Sequence, residues 1–289
     1  MYESYKKYGL LFFALFLLLV NTFLFQADWK NSHKKLTFAM LDVGQGDALF
    51  IESPTGTQIL VDVGPPKKIL RELPLVMPFY DKSIDAIIIT NPDQDHIGGF
   101  SDILKNYKVS KIFSSGTLSD SKTFKNLEAE IESQKIPEIL AKKGMRLNLG
   151  GGAVIDILFP DRDVSSWTTN DGSVVARLSY GKNSVMLTGD ASRETEKIIL
   201  KNNIKQNLKS DILKVGHHGS HTSTSLDFLK TVSPEYALIS VGENNKYGHP
   251  HQDVLDNLIS FGLKIFRTDK SGAVIMKSDG SEESFLLLK

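Results

Sequence analysis

From Leu36 onward, short apolar runs alternate with glycine- and proline-bearing turns. "LTFAMLDV" (36–43), "ALFIES" (48–53) and "QILVDV" (58–63) predict three strands, separated by Gly-Gln-Gly-Asp and Pro-Thr-Gly-Thr, an early meander. "KKILREL" (67–73) then predicts a helix and "IDAIIIT" (84–90) a buried strand. Two helices follow, "SDILKNY" (101–107) and "SKTFKNLEAEIESQ" (121–134), the second with Phe124, Leu127 and Ile131 on one face. A second strand-rich block comprises "AVIDILF" (153–159), "SVVARLSY" (173–180) and "SVMLTG" (184–189). It leads into the helix "SRETEKIILKN" (192–202). Strands 211–215 and 236–241 then alternate with helices 224–232 and 251–261, and strands 264–268 and 273–278 close the chain. Two strand-rich halves with interspersed helices predict an α/β architecture: two mixed sheets packed face to face, helices outside.

The N-terminal pattern is different. Gly9 to Phe25 carries no charge and follows Lys6-Lys7, which predicts a short transmembrane anchor. Cleavage as a signal peptide is disfavoured, because Phe25-Gln26-Ala27 puts a bulky residue where a small one is needed. The expected organisation is a tail (1–8), a transmembrane anchor (9–27), a linker (28–35) and one large domain (36–289). Lys6 and Lys7 favour an inside N-terminus, although Lys30, Lys34 and Lys35 oppose it. The expected localisation is the cell membrane, single-pass, with the domain outside.

Composition narrows the chemistry. With 34 basic and 34 acidic residues the net charge is +0, so any nucleic-acid contact must rest on a local patch. There is no cysteine, which excludes disulfides, zinc-thiolate sites and thiol nucleophiles. A metal would have to use nitrogen and oxygen ligands.

The candidate ligands concentrate just past strand ends, where such folds gather functional loops. Asp93, Asp95 and His96 follow strand 84–90 in "TNPDQDHIGG"; Asp190 follows 184–189 in "LTGDAS". His217, His218 and His221 follow 211–215, and His249 and His251 follow 236–241. Of seven histidines only His33 lies elsewhere. A single Asp before Ala191-Ser192 also suits a helix cap, but four loops with complementary ligand types suit a metal site better. Aspartate with histidine fits Zn²⁺ or Mn²⁺, one or two ions, with Asp190 as a bridge if there are two.

"LDVGQGDALFIE" (41–52), "ILVDVG" (59–64), "TNPDQDHIGG" (90–99), "NDGSVVARLSYGKNSVMLTGD" (170–190), "LKVGHHGSHTS" (213–223) and "SVGENNKYGHPHQDVL" (240–255) resemble the metallo-β-lactamase fold superfamily. They resemble in particular the hydrolase domain of ComEC-type competence (DNA-uptake) proteins. The resemblance covers most of 36–289 and implies an αββα sandwich with the metal site at one edge of the two sheets. It also implies that Asp95, His96 and His249 hold one metal, that Asp190 bridges, and that Asp93 serves a second. His217 and His218 would face the scissile group, with Asp95 as ligand and base. Asn91 stands where the resemblance expects the first histidine, and Asn170 where many relatives carry another. Both offer only neutral amide oxygens, weak beside imidazole.

The function this implies is a membrane-anchored metal-dependent hydrolase, a phosphodiesterase or nuclease acting on DNA, with DNA-uptake proteins as partners. Lys214, Ser220, Tyr247 and His251 flank the motifs and are candidates to hold substrate. Two alternatives are a hydrolase of a small ester, lactone or phosphoester, and a degenerate module that binds DNA or a partner without cleaving.

Overall fold

A computed structural model describes residues 12–22 and 35–288. In the first half of the domain the strands are β1 (Leu36–Met40), β2 (Leu49–Glu52), β3 (Gln58–Val61), β4 (Ser83–Ile84), β5 (Ala86–Ile89), β6 (Lys108–Val109), β7 (Ile112–Ser114) and β8 (Glu138–Leu140). The second half supplies β9 (Arg146–Gly150), β10 (Ala153–Phe159), β11 (Val175–Tyr180), β12 (Asn183–Leu187), β13 (Ile212–Lys214), β14 (Tyr236–Ile239) and β15 (Lys264–Arg267), and the chain returns with β16 (Ala273–Ser278) and β17 (Glu283–Leu288). One sheet runs β17-β16-β1-β2-β3-β5-β7-β8 and the other β15-β14-β13-β12-β11-β10-β9. β4 and β6 form a small separate pair.

Each sheet has an antiparallel part and a parallel part. In the first, β3 pairs β5 and β5 pairs β7 in parallel; in the second, β12, β13 and β14 are parallel neighbours. Parallel strands need helical crossovers, and those helices cover the outer faces. The result is four layers. Period-two alternation sorts β1 between them: Phe38 and Met40 join the core between the sheets with Ile155 and Leu187. Ala39 and Leu41 face outward onto Phe100, Ile103 and Leu127. On the far side, Met186 and Leu213 pack against Ile199, Phe228 and Leu258. Burial on both faces explains why the central strands read as continuous apolar runs rather than alternating ones. Each fully buried Leu, Ile or Phe side chain contributes about 1.5–3 kcal/mol by leaving water.

The helices hold close to their expected ranges, for physical reasons. Lys122–Ser133 begins where the Ser121 hydroxyl accepts from Phe124 N at 3.2 Å, and Leu226–Val232 begins where Ser225 caps Phe228 N. Asp190 is no such cap, because the helix Arg193–Asn202 starts after Ser192.

The expected single-pass membrane localisation is overturned. Among the described residues no helix is long and apolar enough to cross a membrane. The rest of the expected span, 9–11 and 23–27, the tail 1–8 and linker residues 28–34 lie outside the described residues.

Candidate metal centre

The site is built from strand ends of both sheets. Past β5, Thr90 and Asn91 are buried and Asp93 opens the single helical turn Gln94–Ile97. That turn is pressed onto the segment after β3: Val63 N donates to the His96 carbonyl at 2.8 Å and Gly99 N to Gly64 O at 2.9 Å. Gly98 and Gly99 are required by this approach, since a Cβ would lie 2.6 Å from Pro66 Cδ in one case and 2.6 Å from Val63 O in the other.

His96 is fully buried, and its Nδ1 lies 2.7 Å from Asp62 Oδ2. Asp62 also accepts from Thr90 N at 2.8 Å. The imidazole therefore carries its proton on Nδ1 and directs Nε2 at Asp190 Oδ2, 3.1 Å away. His218 is arranged the same way. Its Nδ1 donates to the Ser240 carbonyl at 3.0 Å, and its Nε2 lies 3.3 Å from Asp95 Oδ2 and 3.6 Å from Asp190 Oδ2. His217 Nε2 approaches the same carboxylate oxygen at 3.8 Å. Presenting both imidazoles from consecutive residues strains the chain: His217 (φ 49°) and His218 (φ 55°) are both left-handed, a cost of order 1–3 kcal/mol each.

Several of these buried atoms, His96 Nε2, His218 Nε2 and Asp190 Oδ1, have no aligned hydrogen-bond partner. Unsatisfied buried polar atoms are costly, and here both imidazole nitrogens face the Asp190 carboxylate. Ligand atoms of Asp95, His96 and His218 lie within 4.8 Å of one another, as do those of Asp47, Asp190 and His218. Two imidazoles with backed Nδ1 atoms and two carboxylates are a nitrogen–oxygen donor set that fits a divalent cation.

The electrostatics agree. Burial alone would raise the Asp190 carboxyl, but His96 and His218 outweigh it and hold it well below the carboxylate range. Burial opposes charge on His218, yet Asp190 and Asp47 push it up to about 10; Asp190 and Asp62 likewise raise His96 well above its usual value. Positive charge is thus strongly favoured at this point. At the rim the balance reverses: burial lowers His217, and burial with the nearby His218 and His217 lowers His249 to about 4.

The remaining candidates sort by geometry. Asp93 is not in any such close set among the described residues; burial raises its carboxyl, and its Oδ2 accepts from Thr169 Oγ1 at 2.8 Å. Asn91 spends its side-chain oxygen on Asp93 N at 2.6 Å and turns its amide nitrogen towards Asn170 Oδ1 at 3.4 Å. His249 also joins no close set; its ring lies 5.5 Å from His217 and is flanked by Tyr247 at 5.6 Å. A phosphate-holding role does not suit Lys214, which is fully buried with Nζ 2.6 Å from Asp47 Oδ2. Ser220 is buried against Thr222, and His251 pairs with His221 at 4.5 Å. Tyr247 is exposed. With Asp93, Asp95, His217 and His249 it lines an open cleft of about 400 Å³ over the ligand cluster. A larger cavity of about 710 Å³ between Ser115 and Ser165 holds no histidine, so the cleft is the better candidate.

Asp47, Asp62, Thr90 and Ser240 are the supporting residues that sequence reasoning passed over. Their signal was faint: a lone polar residue closing an apolar run, as in "ILVDVG".

A model of the metallo-beta-lactamase superfamily matches residues 41–243. The chain belongs to this superfamily. Its α/β fold of two mixed sheets and its divalent-cation donor set are those of a metallo-beta-lactamase-type hydrolase, related to competence proteins. The chain is 34% identical over 259 residues to ComE operon protein 3 of Bacillus subtilis, covering 81% of this chain and 32% of that one. It is 32% identical over 239 residues to Recombination protein 2 of Haemophilus influenzae, covering 81% and 28%. It thus spans about a third of the length of these curated relatives. Among solved structures, the metallo hydrolase Igni18 from Ignicoccus hospitalis superposes with a TM-score of 0.54 at 16% identity, covering 88% of this chain and 100% of that one. That likeness bears on the fold.

Proposed function

We propose that this metallo-beta-lactamase-fold chain is a metal-dependent phosphodiesterase acting on DNA, with Asp95, His96, His218 and Asp190 holding one divalent ion. The observation that carries the reading is that His96 Nε2 and His218 Nε2, both without aligned hydrogen-bond partners, face Asp190 Oδ2 at 3.1 Å and 3.6 Å, beside an open cleft that Asp190, His218 and Asp95 line. A bound ion would supply Lewis-acid polarisation of a phosphoryl oxygen. His217, kept neutral by its burial, faces the cleft with Nε2 and can take a proton from the attacking water or return one to the leaving oxygen. Thr222 orients that ring through Nδ1 at 3.1 Å. Because the net charge is +0, substrate must be held locally. Exposed Tyr247, stacked beside His249 with Lys246 Nζ 5.1 Å over its ring, is a ledge for an unpaired base and its phosphate.

One relative's name supports DNA as the substrate class, since it is a recombination protein. One observation favours a non-cleaving module instead: Asn91 and Asn170 face each other where a second pair of ligands would stand. The test incubates the purified chain with single- and double-stranded DNA, a chromogenic phosphodiester and a chromogenic carboxylic ester, each with Mn²⁺, Mg²⁺, Zn²⁺ or a chelator. Metal-dependent cleavage of DNA and phosphodiester is expected. Cleavage of the ester alone would replace this reading with that of a small-ester hydrolase. Metal binding and DNA retention without turnover would replace it with a binding module.

A further inference from the structure

The turn after β1 carries a carboxylate that the ligand set leaves without a role. Asp47 is 1% exposed, and its Oδ2 lies 2.6 Å from Lys214 Nζ, which is itself fully buried. The same ammonium donates to the Val215 carbonyl at 3.1 Å. Taking two opposite charges out of water is costly, and apolar replacements for such pairs are often neutral or stabilising. Folding alone therefore gives little reason for this pair.

What the pair touches gives one. Asp47 Oδ1 has no aligned hydrogen-bond partner and lies 3.4 Å from His218 Nδ1. That nitrogen donates to the Ser240 carbonyl at 3.0 Å, so at the longer distance the carboxylate adds field rather than a second bond. The Ser240 hydroxyl in turn donates to Gly46 O at 2.6 Å, and Asp47 N donates to the Asp95 carbonyl at 3.2 Å. Gly46 is seated so closely that a Cβ there would lie 2.2 Å from Asp95 O. One turn thus holds two of the four converging groups, Asp95 through the main chain and His218 through a charged side chain.

We propose that Asp47, anchored by Lys214, is a positioning residue that keeps the His218 proton on Nδ1 and its Nε2 aimed into the cleft. The proposal rests on the reading of His218 as a metal ligand. Lys214 fixes one carboxylate oxygen, so the other is presented to the imidazole. A carboxylate behind a ligating histidine sets its tautomer and raises its basicity, and loss of such support lowers metal affinity about 10–100-fold.

The test uses the full chain and Zn²⁺ alone as probe, in wild type, Asp47→Asn, Lys214→Met and the double variant. Each single change strands one buried charge and is expected to lower the thermal midpoint. The double variant removes both charges and is expected to recover the midpoint, yet to bind Zn²⁺ about 10–100-fold more weakly than wild type. Recovery of stability without recovery of affinity is an outcome that mere structural support would not produce. Wild-type affinity in the folded double variant overturns the proposal and leaves the metal reading standing. If the double variant does not fold, Asp47→Asn decides at a temperature where it is folded, and unchanged affinity there is equally fatal. A wild-type chain that binds no Zn²⁺ overturns the metal reading, and the proposal with it.

Discussion

Asp62→Asn isolates the support behind His96. The Asp62 carboxylate accepts from Thr90 N through Oδ1 at 2.8 Å, while Oδ2 faces His96 Nδ1 at 2.7 Å and the Thr90 hydroxyl. In the asparagine variant the Thr90 N–H still demands an oxygen at the first position. The new NH₂ must therefore occupy the second and donate to His96 Nδ1. That reverses the tautomer and places the ring proton on Nε2, the atom aimed at Asp190. Loss of a carboxylate behind a ligating histidine costs about 10–100-fold in metal affinity, or about 1.4–2.7 kcal/mol. Folding should suffer less. Asp62 is completely buried and burial raises its carboxyl, so a neutral isostere relieves desolvation while keeping the Thr90 bond. Asp62→Ala should be worse for folding, because it also strands a buried N–H, at about 1–3 kcal/mol. Competition titration of Zn²⁺ against a chromophoric chelator, beside circular dichroism, reads both quantities. An Asp62→Asn protein with native spectra and wild-type Zn²⁺ affinity would refute the reasoning, because His96 Nε2 could not then be a ligand.

Asp190→Ala should cost more metal than any single histidine change, since its Oδ2 lies 3.1 Å, 3.6 Å and 3.8 Å from three imidazoles; undiminished metal content by elemental analysis would remove it from the ligand set. Wild type should bind one divalent ion per chain, because Asn91 spends its oxygen on Asp93 N; a stoichiometry of two would return Asp93, Asn91 and Asn170 to ligand roles. Metal-free protein should lose stability as pH rises from about 6.5 through about 10, because the folded state raises His218 to about 10 and its contribution is complete only below the unfolded value. Asp47, lowered to about 2 against burial by Lys214 and His218, should contribute above about 4 and lose its share as pH falls towards 2. Thermal midpoints measured across this range in chelator should therefore fall above about pH 6.5 and again towards pH 2, with the lowered His249 and His217 adding a loss as pH drops below about 6.5, and a flat profile would count against the buried charge network.

The sheets were legible because their strands are buried on both faces. A run such as Ile87-Ile88-Ile89 has no solvent side, and only a core in four layers can absorb it. The two edges of the first sheet were not legible for the opposite reason. β8 and β17 are part-exposed and mixed in character, so "EIL" and "ESFLLL" carry no periodic signal that separates them from loop. The membrane expectation rested on apolar composition over Gly9 to Phe25, and among the described residues no helix is long and apolar enough to cross a membrane.

The ligand loops were readable because Asp and His past a strand end have few structural uses. Which of them converge was not, since that depends on backbone detail no motif encodes. His217 and His218 are neighbours in sequence, but their left-handed turn sends His218 to Asp95 at 3.3 Å and His217 to the rim. Had both been extended, period-two geometry would have put them on opposite faces of the chain. The same limit hid the support. Asp47, Asp62 and Ser240 each sit at a turn where a polar residue is unremarkable, and only their approach to an imidazole Nδ1, at 3.4 Å, 2.7 Å and 3.0 Å, marks them. A metal site is a property of which nitrogen lone pair is left free. That choice is made by atoms behind the histidines, contributed by segments far away in the chain.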